Sequence, residues 1–530
     1  MIPRAHAPTR ITTHVIACAT SRAPAHAALA TALLVPVLLL AGCAVGPDFH
    51  RPAAPQVDGY TPEKPADPTA TADANAGAAQ RFDVGQDIQG EWWTLFHSEP
   101  LDRLVRQALK ANPDVDAAQA ALRQAQENAY AGEGALFPSA SANFQPERER
   151  LAGASFGAPN QSPTFSLVTA QVNISYAPDI FGGTRRQIES LRAKAEYQRF
   201  ELEATYLTLT SNLVVAAVNE ASVRGQIEAT EQIIKAETDQ LGVVRQQLDA
   251  GGASRADLLT QQATLAQSSA TLPPLRKQLA LQRDQLAALV GGFPSQELDA
   301  RFDLADLTLP EDLPVSLPSQ LVEQRPDVLA AQAQFHSASA DVGVAIANQL
   351  PQFSITGSAG YAAEGFTNLF SPATAIWSIA GGITQTLFDA GTLLHKKRAA
   401  VDALDQAAAQ YRGTVIRAFQ NVADALRALQ FDADTLHQQA AAEKAAADSL
   451  SLSRVQYQAG AISYLILLNA DRTWQQARLS LVQAEAARLS DTAALFQALG
   501  GGWWHRTDVA ADPKGGPDIL TPPLAAALRD

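Results

Sequence analysis

The sequence predicts an α+β membrane protein, internally duplicated, in which four bilayer-length strands share each chain with two very long coiled-coil helices. Three observations predict it: a pattern that runs twice at a spacing of about 210 residues, alternating apolar and polar residues in four segments, and Pro-free helical runs of some 66 residues.

The duplication comes first. Asn112-Pro113-Asp114 returns as Arg325-Pro326-Asp327, and Ala135-Leu136-Phe137-Pro138 as Asn348-Gln349-Leu350-Pro351. Leu248-Asp249-Ala250-Gly251 returns as Tyr457-Gln458-Ala459-Gly460, and Leu289-Val290-Gly291-Gly292 as Ala498-Leu499-Gly500-Gly501. Chance similarity between helical segments does not hold one register over such a span. The first repeat is placed at 91–300 and the second at 319–504, joined by a linker over 301–318, with a C-terminal tail over 505–530.

Strands are predicted at about 139–147, 166–177, 352–362 and 376–388. Val168, Ala170, Val172, Ile174 and Tyr176 alternate with Thr169, Gln171, Asn173 and Ser175, and Phe353, Ile355, Gly357, Ala359 and Tyr361 with Ser354, Thr356, Ser358 and Gly360. A tilted strand of roughly 10 residues crosses a bilayer, with apolar side chains to lipid and polar ones to a wet lumen. Alternation in any one strand also fits a soluble hairpin packed on helices; the shared membrane length favours lipid. Four strands do not close a barrel, and an open edge in hydrocarbon is forbidden, so spanning strands require several chains.

Helices are predicted at about 184–249, 254–290, 392–459 and 463–499, with Thr184 and Gln187 spaced as a capping box. Leu202, Tyr206, Leu209, Leu213, Ile227, Ile234, Leu241, Val244 and Leu248 form one seam; Tyr411, Val415, Phe419, Val422, Leu426 and Leu429 form another. At 1.5 Å per residue such a rod is roughly 100 Å long. The rods end in two related turns. Gly251 and Gly460 supply the left-handed stop, and Ser254 and Ser463 cap the helices that follow. Asp257 reads either as a local cap of Ser254 or as a partner contact.

The amino terminus has Arg4, Arg10 and Arg22, no acid before Cys43, and an apolar run Ala27–Leu40 broken by Pro36. This reads as an export signal over 1–42, too short for a secure transmembrane helix. It ends in Leu40-Ala41-Gly42-Cys43, which resembles the bacterial lipobox and places an N-acyl (palmitoyl), S-diacylglycerol anchor on Cys43. Ala44 then implies sorting to the outer membrane, into outer-membrane lipid. Residues 43–90, rich in Pro, Ala, Gly and Asp, read as an extended tether without a packed core. The only other cysteine, Cys18, lies in the signal, so the mature chain forms no internal disulfide.

The formal charge of −14 becomes −17 once the signal's three arginines are gone, and no basic cluster offers a nucleic-acid footprint. The nine histidines lack metal-ligand spacing with cysteines or acids, and no phosphate-cradling Gly-Lys-Ser/Thr run or nucleophile elbow occurs. No enzyme, cofactor or metal is expected.

The lipobox followed by Ala44-Val-Gly-Pro-Asp48-Phe49, Trp92-Trp93, the two x-Pro-Asp motifs and the paired Arg-x-x-x-x-x-Gly turns together resemble the outer membrane factor (TolC/OprM-like) family. Its lipoprotein branch is often labelled NodT-like. The resemblance covers roughly 43–504. It implies a homotrimer with one twelve-stranded barrel and a periplasmic tunnel, docked by a periplasmic adaptor with an inner-membrane RND transporter beyond. It places adaptor contacts at Arg245, Leu248, Gly251, Ser254, Asp257 and Leu258, and at Arg454, Tyr457, Gly460, Ser463, Tyr464 and Leu467. Family members often carry an acidic, cation-binding ring after the second turn; here Ile466 and Asn469 stand at those positions. The resemblance therefore implies a hydrophobic, amide-lined gate, with Asp471 and Arg472 pairing nearby. The function implied is a passive efflux duct for drugs or toxic small molecules. A duct for type I protein secretion and a non-conducting structural lipoprotein are the alternatives.

Overall fold

The structure, a computed structural model, describes residues 44–64, 66–157 and 162–506. The predicted export signal over 1–42, Cys43 and all of the predicted tail beyond Arg506 lie outside the described residues.

The duplication is visible in element lengths. The first half has α1 (Glu99–Ala111) and α2 (Pro113–Gly134), strands β2 (Ser139–Arg150) and β3 (Thr164–Tyr176), then α3 (Gly183–Asp249) and α4 (Arg255–Leu289). The second has α5 (Pro318–Gln324) and α6 (Pro326–Ala347), β5 (Gln352–Ala363) and β6 (Ala375–Thr384), then α7 (Thr392–Gln458) and α8 (Tyr464–Ala498). Helices of 22, 67 and 35 residues recur in both halves. At 1.5 Å per residue the 67-residue helices are about 100 Å long. Helix α4 continues through Pro273 and Pro274 without a break.

The x-Pro-Asp motifs splice helices end to end. Proline at N1 tolerates its missing N–H, and the residue before it turns out of the helix into extended conformation. Asn112 caps α2 by accepting from Asp114 N at 2.8 Å, while its Nδ2 donates to Leu289 O, the end of α4, at 2.9 Å. In the second half Arg325 donates from Nη1 to Ala498 O at 2.7 Å, the end of α8, and holds Asp327 at 2.8 Å. Each 35-residue helix thus abuts a 22-residue one, and the last-turn carbonyls that a helix leaves unpaired are satisfied from the next helix.

The four long strands form one antiparallel sheet in the order β2-β3-β5-β6. Its register sorts the two faces. Ala142, Val172, Ala359 and Trp377 lie in one cross-strand row, and Ala140, Ile174, Gly357 and Ile379 in the next; on the opposite face Ser141, Asn173, Ser358 and Ser378 align. Phe144, Val172, Ile174, Ile355, Trp377, Ile379 and Ile383 all stand exposed on the apolar face. β2 and β6 are free edges within the chain. Strand β6 stops at Thr384, short of the predicted 388, and Leu387 and Phe388 follow as exposed residues outside it. No helix among the described residues is long and apolar enough to cross a membrane.

Three further expectations are corrected. Residues 44–90 are extended but not loose. Asp48 pairs with Arg186 at 2.6 Å, Phe49 stacks on His336, Tyr60 Oη donates to Ser316 O, and Arg488 donates to Ala76 O and Ala78 O. β1 (Arg81–Val84) pairs in parallel with β4 (Asp312–Val315) from the linker. The Pro- and Ala-rich strap has no core of its own, but its backbone groups meet donors and acceptors on the long helices. The capping box at Thr184 does not form either. Helix α3 begins at Gly183, and the Asp179 carboxylate accepts from Thr184 N and Arg185 N instead. Asp389 does the same for Gly391 N and Leu393 N at α7. Lastly, Ser463 occupies the N-cap of α8 but its hydroxyl makes no cap bond: Ile466 N donates to the Ser463 backbone carbonyl at 3.1 Å instead, and an isoleucine at N3 returns no side-chain bond to the cap.

The main core lies midway along the rods, where Trp92 stacks on Phe496 at 5.2 Å and Phe96, Phe302, Leu313 and Leu321 are fully enclosed. It packs the start of the first repeat and the linker against α3, α7 and α8.

Candidate functional site

The far ends of the rods carry the candidate site. After α3, Gly251 takes φ +76°, Gly251 N donates to Leu248 O and Gly252 N to Gln247 O. After α7, Gly460 takes φ +71°, with Gly460 N on Tyr457 O and Ala461 N on Gln456 O. A side chain at either position would force an L-residue into the left-handed region. On the next helix Ser254 and Asp257 form a complete capping box: Asp257 N donates to Ser254 Oγ at 3.1 Å, and Ser254 N to Asp257 Oδ2 at 2.9 Å. Local capping therefore accounts for Asp257.

The two hairpins are tied together. Tyr457 Oη donates to Gln247 Oε1 at 2.9 Å, linking α7 to α3. Beneath it Val244, Leu450, Tyr464 and Leu467 form a small buried core, with Leu258, Tyr457 and Trp474 packed around it. Trp474 Nε1 donates to Glu443.

Of the twelve tip residues, Arg245, Gly251, Ser254, Arg454, Gly460 and Ser463 are exposed, and Leu248, Asp257, Leu258 and Tyr457 half-buried. Tyr464 and Leu467 are buried, so as contact residues they are corrected: they hold the hairpins together from inside. In the gate segment Ile466, Asn469 and Arg472 are exposed on one side of α8, while Leu467, Leu468 and Asp471 face inward. The expected Asp471–Arg472 pair is absent; Asp471 faces Arg454 at 3.6 Å, because positions 464, 467, 468 and 471 share the packed face of α8.

Glu237 was not singled out by the sequence reading. It is 3% exposed. Gln475 Nε2 donates to Glu237 Oε1 at 2.9 Å and to Asp471 Oδ2 at 2.6 Å, bridging the two carboxylates, and Ser268 Oγ donates to Glu237 Oε1. Burial, and then Glu237, push the Asp471 carboxyl above the usual aspartate range, against the opposing pull of Arg454. A signal was present in the sequence: Ile233, Glu237, Leu241 and Val244 repeat at seam spacing, with an acid in an apolar row.

Comparison with known proteins fits this geometry. The outer membrane efflux protein family matches residues 104–292 and 317–501, one match per repeat. The pyoverdine export outer membrane protein OpmQ of Pseudomonas aeruginosa is 30% identical over 443 residues, covering 80% of this chain and 90% of its own. The probable efflux pump outer membrane protein TtgC of Pseudomonas putida is 28% identical over 486 residues, 90% of this chain and 96% of its own. The solved outer-membrane channel OprN superposes with a TM-score of 0.79 at 26% identity, covering 87% of this chain and all of that one. With both repeats matched and tip, rod and sheet in one continuous arrangement, the chain belongs to the outer membrane efflux protein family.

Proposed function

We propose that three copies of this outer-membrane efflux component close one twelve-stranded barrel and continue it inward as a helical tunnel, a passive exit for drugs or other toxic small molecules. The observation that carries the reading is the four-stranded sheet with one continuous apolar face and two free edges, joined directly to the 67-residue rods. An unpaired edge is intolerable in hydrocarbon, and β2 of one copy meeting β6 of the next removes every edge. The apolar rows then face lipid and the serine–asparagine rows the lumen.

Cys43 carries the lipid, and the strap that follows it is fixed beside the base of the sheet from Val45, whose N donates to Phe181 O. The exposed tip residues Arg245, Ser254, Arg454 and Ser463 offer the docking surface to a periplasmic adaptor, which joins the duct to an inner-membrane RND transporter. Ile466 and Asn469, exposed at the tip, line the closed mouth. Such a mouth closes by apolar contact and amide pairing, without an acidic ring. Energy and cargo choice belong to the partners, since the duct contributes passage alone.

Planar-bilayer recording of the purified assembly tests the reading. Discrete conductance steps are expected; an assembly that never conducts, even with its tips loosened by substitution, would reduce the protein to an acylated envelope scaffold.

A further inference from the structure

The two faces of the sheet stay sorted beyond the apolar band, at the end of β2 farthest from the rods. Strand β2 enters the sheet from α2, so Ser139 marks its rod-side end and Arg150 its outer end. On the apolar face β2 presents Ala140, Ala142, Phe144 and Pro146, opposite Ile174, Val172, Ala170 and Val168. The next two positions of that same face are Arg148 and Arg150, opposite Ser166 and Thr164. Aromatic rings mark the level at which the face changes character: Phe144 lies 6.1 Å from Phe366, and Tyr361 5.4 Å from Phe370, with Phe366 and Phe370 both exposed. Such rings gather where hydrocarbon gives way to headgroups.

Arg148 and Arg150 are two residues apart on one strand face, roughly 7 Å along the chain. Both are exposed, and neither has an ion pair among the described residues. The neighbouring acids do not neutralise them, because Glu147 and Glu149 alternate onto the opposite face with Asn143 and Gln145. The patch therefore gathers two guanidinium groups and, across the strand pair, two hydroxyls, with no carboxylate on its own face. A guanidinium fork matches phosphate oxygens bidentately. We propose that this patch, one per copy, binds the phosphates of an anionic lipid in the outer leaflet. The inference rests on the reading that the apolar face turns to lipid, and it adds a specific lipid partner to that reading. A headgroup is favoured over a free anion because the arginines continue the lipid-facing row: acyl chains lying against the exposed Phe144 and Val172 bring their phosphates to Arg148 and Arg150. Basic side chains at a membrane surface attract anionic lipid in the same way.

Native mass spectrometry of the purified full-length protein in neutral detergent, titrated with diphosphoryl lipid A, tests this. Saturable binding is expected. The double variant Arg148→Gln, Arg150→Gln should raise the half-saturating concentration at least tenfold, and Glu147→Gln, Glu149→Gln should not weaken binding. Unchanged affinity in the arginine double variant overturns the proposal. So does inorganic phosphate that competes at the same concentration as the lipid, which would mark a site for free anions. A bimane label on Phe144→Cys, in vesicles containing brominated lipid, separates this inference from the reading it rests on. Quenching of the label together with unchanged lipid affinity in the arginine variant removes the patch alone, whereas a label that brominated lipid does not quench removes the lipid-facing assignment and the patch together.

Discussion

Tyr457→Phe removes one hydrogen bond and nothing else from the tip. The ring still packs on Tyr464, at 5.6 Å between centroids, while the 2.9 Å bond to Gln247 Oε1 is lost. A neutral side-chain hydrogen bond contributes about 0.5–1.5 kcal/mol net. That bond joins α7 to α3, so its loss acts on the separation of the hairpins and leaves each helix intact. Three symmetric copies, if the terms add, weaken the closed tip by roughly 1.5–4.5 kcal/mol, a tenfold to thousandfold shift toward opening. Open probability in planar bilayers measures it. The double-mutant cycle with Gln247→Leu isolates the pair: the second substitution should add little once the first is made. Fully additive effects, or a Tyr457→Phe channel that opens no more often than wild type, would refute the reasoning.

Three other predictions test separate parts of the account. Gly460→Val meets no atom within 4 Å at its new Cβ, so its cost is purely the left-handed backbone at φ +71°, about 1–2 kcal/mol or more; thermal unfolding and loss of drug resistance report it, and a fully stable, fully active variant would remove Gly460 as the helix stop. Cys43→Ser should abolish incorporation of labelled fatty acid, and residual labelling would place the anchor elsewhere. Asp491 is pushed from 3.8 to about 7 by burial and by the hydrogen-bonded Asp432. Its folded pKa is raised, so its contribution to stability is complete below the unfolded value near 3.8 and is lost as pH rises through about 7. Asp491→Asn should therefore flatten the fall in melting temperature between those limits, and an unaltered pH profile would contradict the assignment.

What the sequence made legible was periodic or repeated. The duplication, the four alternating strands and the two rods all depend on patterns that a single chain displays along its length. Contacts between distant segments were not legible. The strap over 44–90 has the composition of a linker, and only its meeting with Arg186, Ser316 and Arg488 makes it part of the fold. Asp179 and Asp389 cap α3 and α7 from outside the helices, where Thr184 offered a closer but unused signal. At the tip, the sequence neighbours Asp471 and Arg472 suggested a pair, whereas helical geometry points them apart and brings Arg454 to Asp471 across two helices. Burial of Tyr464 and Leu467 follows from the same geometry, since both fall on the packed face of α8.

The central claim is that β2 of one copy pairs with β6 of another. Apart from Cys43, the cysteines of the described and flanking sequence are limited to Cys18 in the signal, so engineered pairs carry little background. Ser141→Cys on β2, combined with single cysteines scanned along β6 from Ile376 to Gly382, should give oxidised ladders ending at three chains, confined to positions of one parity along β6. A ladder ending at two chains, or no cross-link at any β6 position in the outer membrane, would contradict a shared barrel.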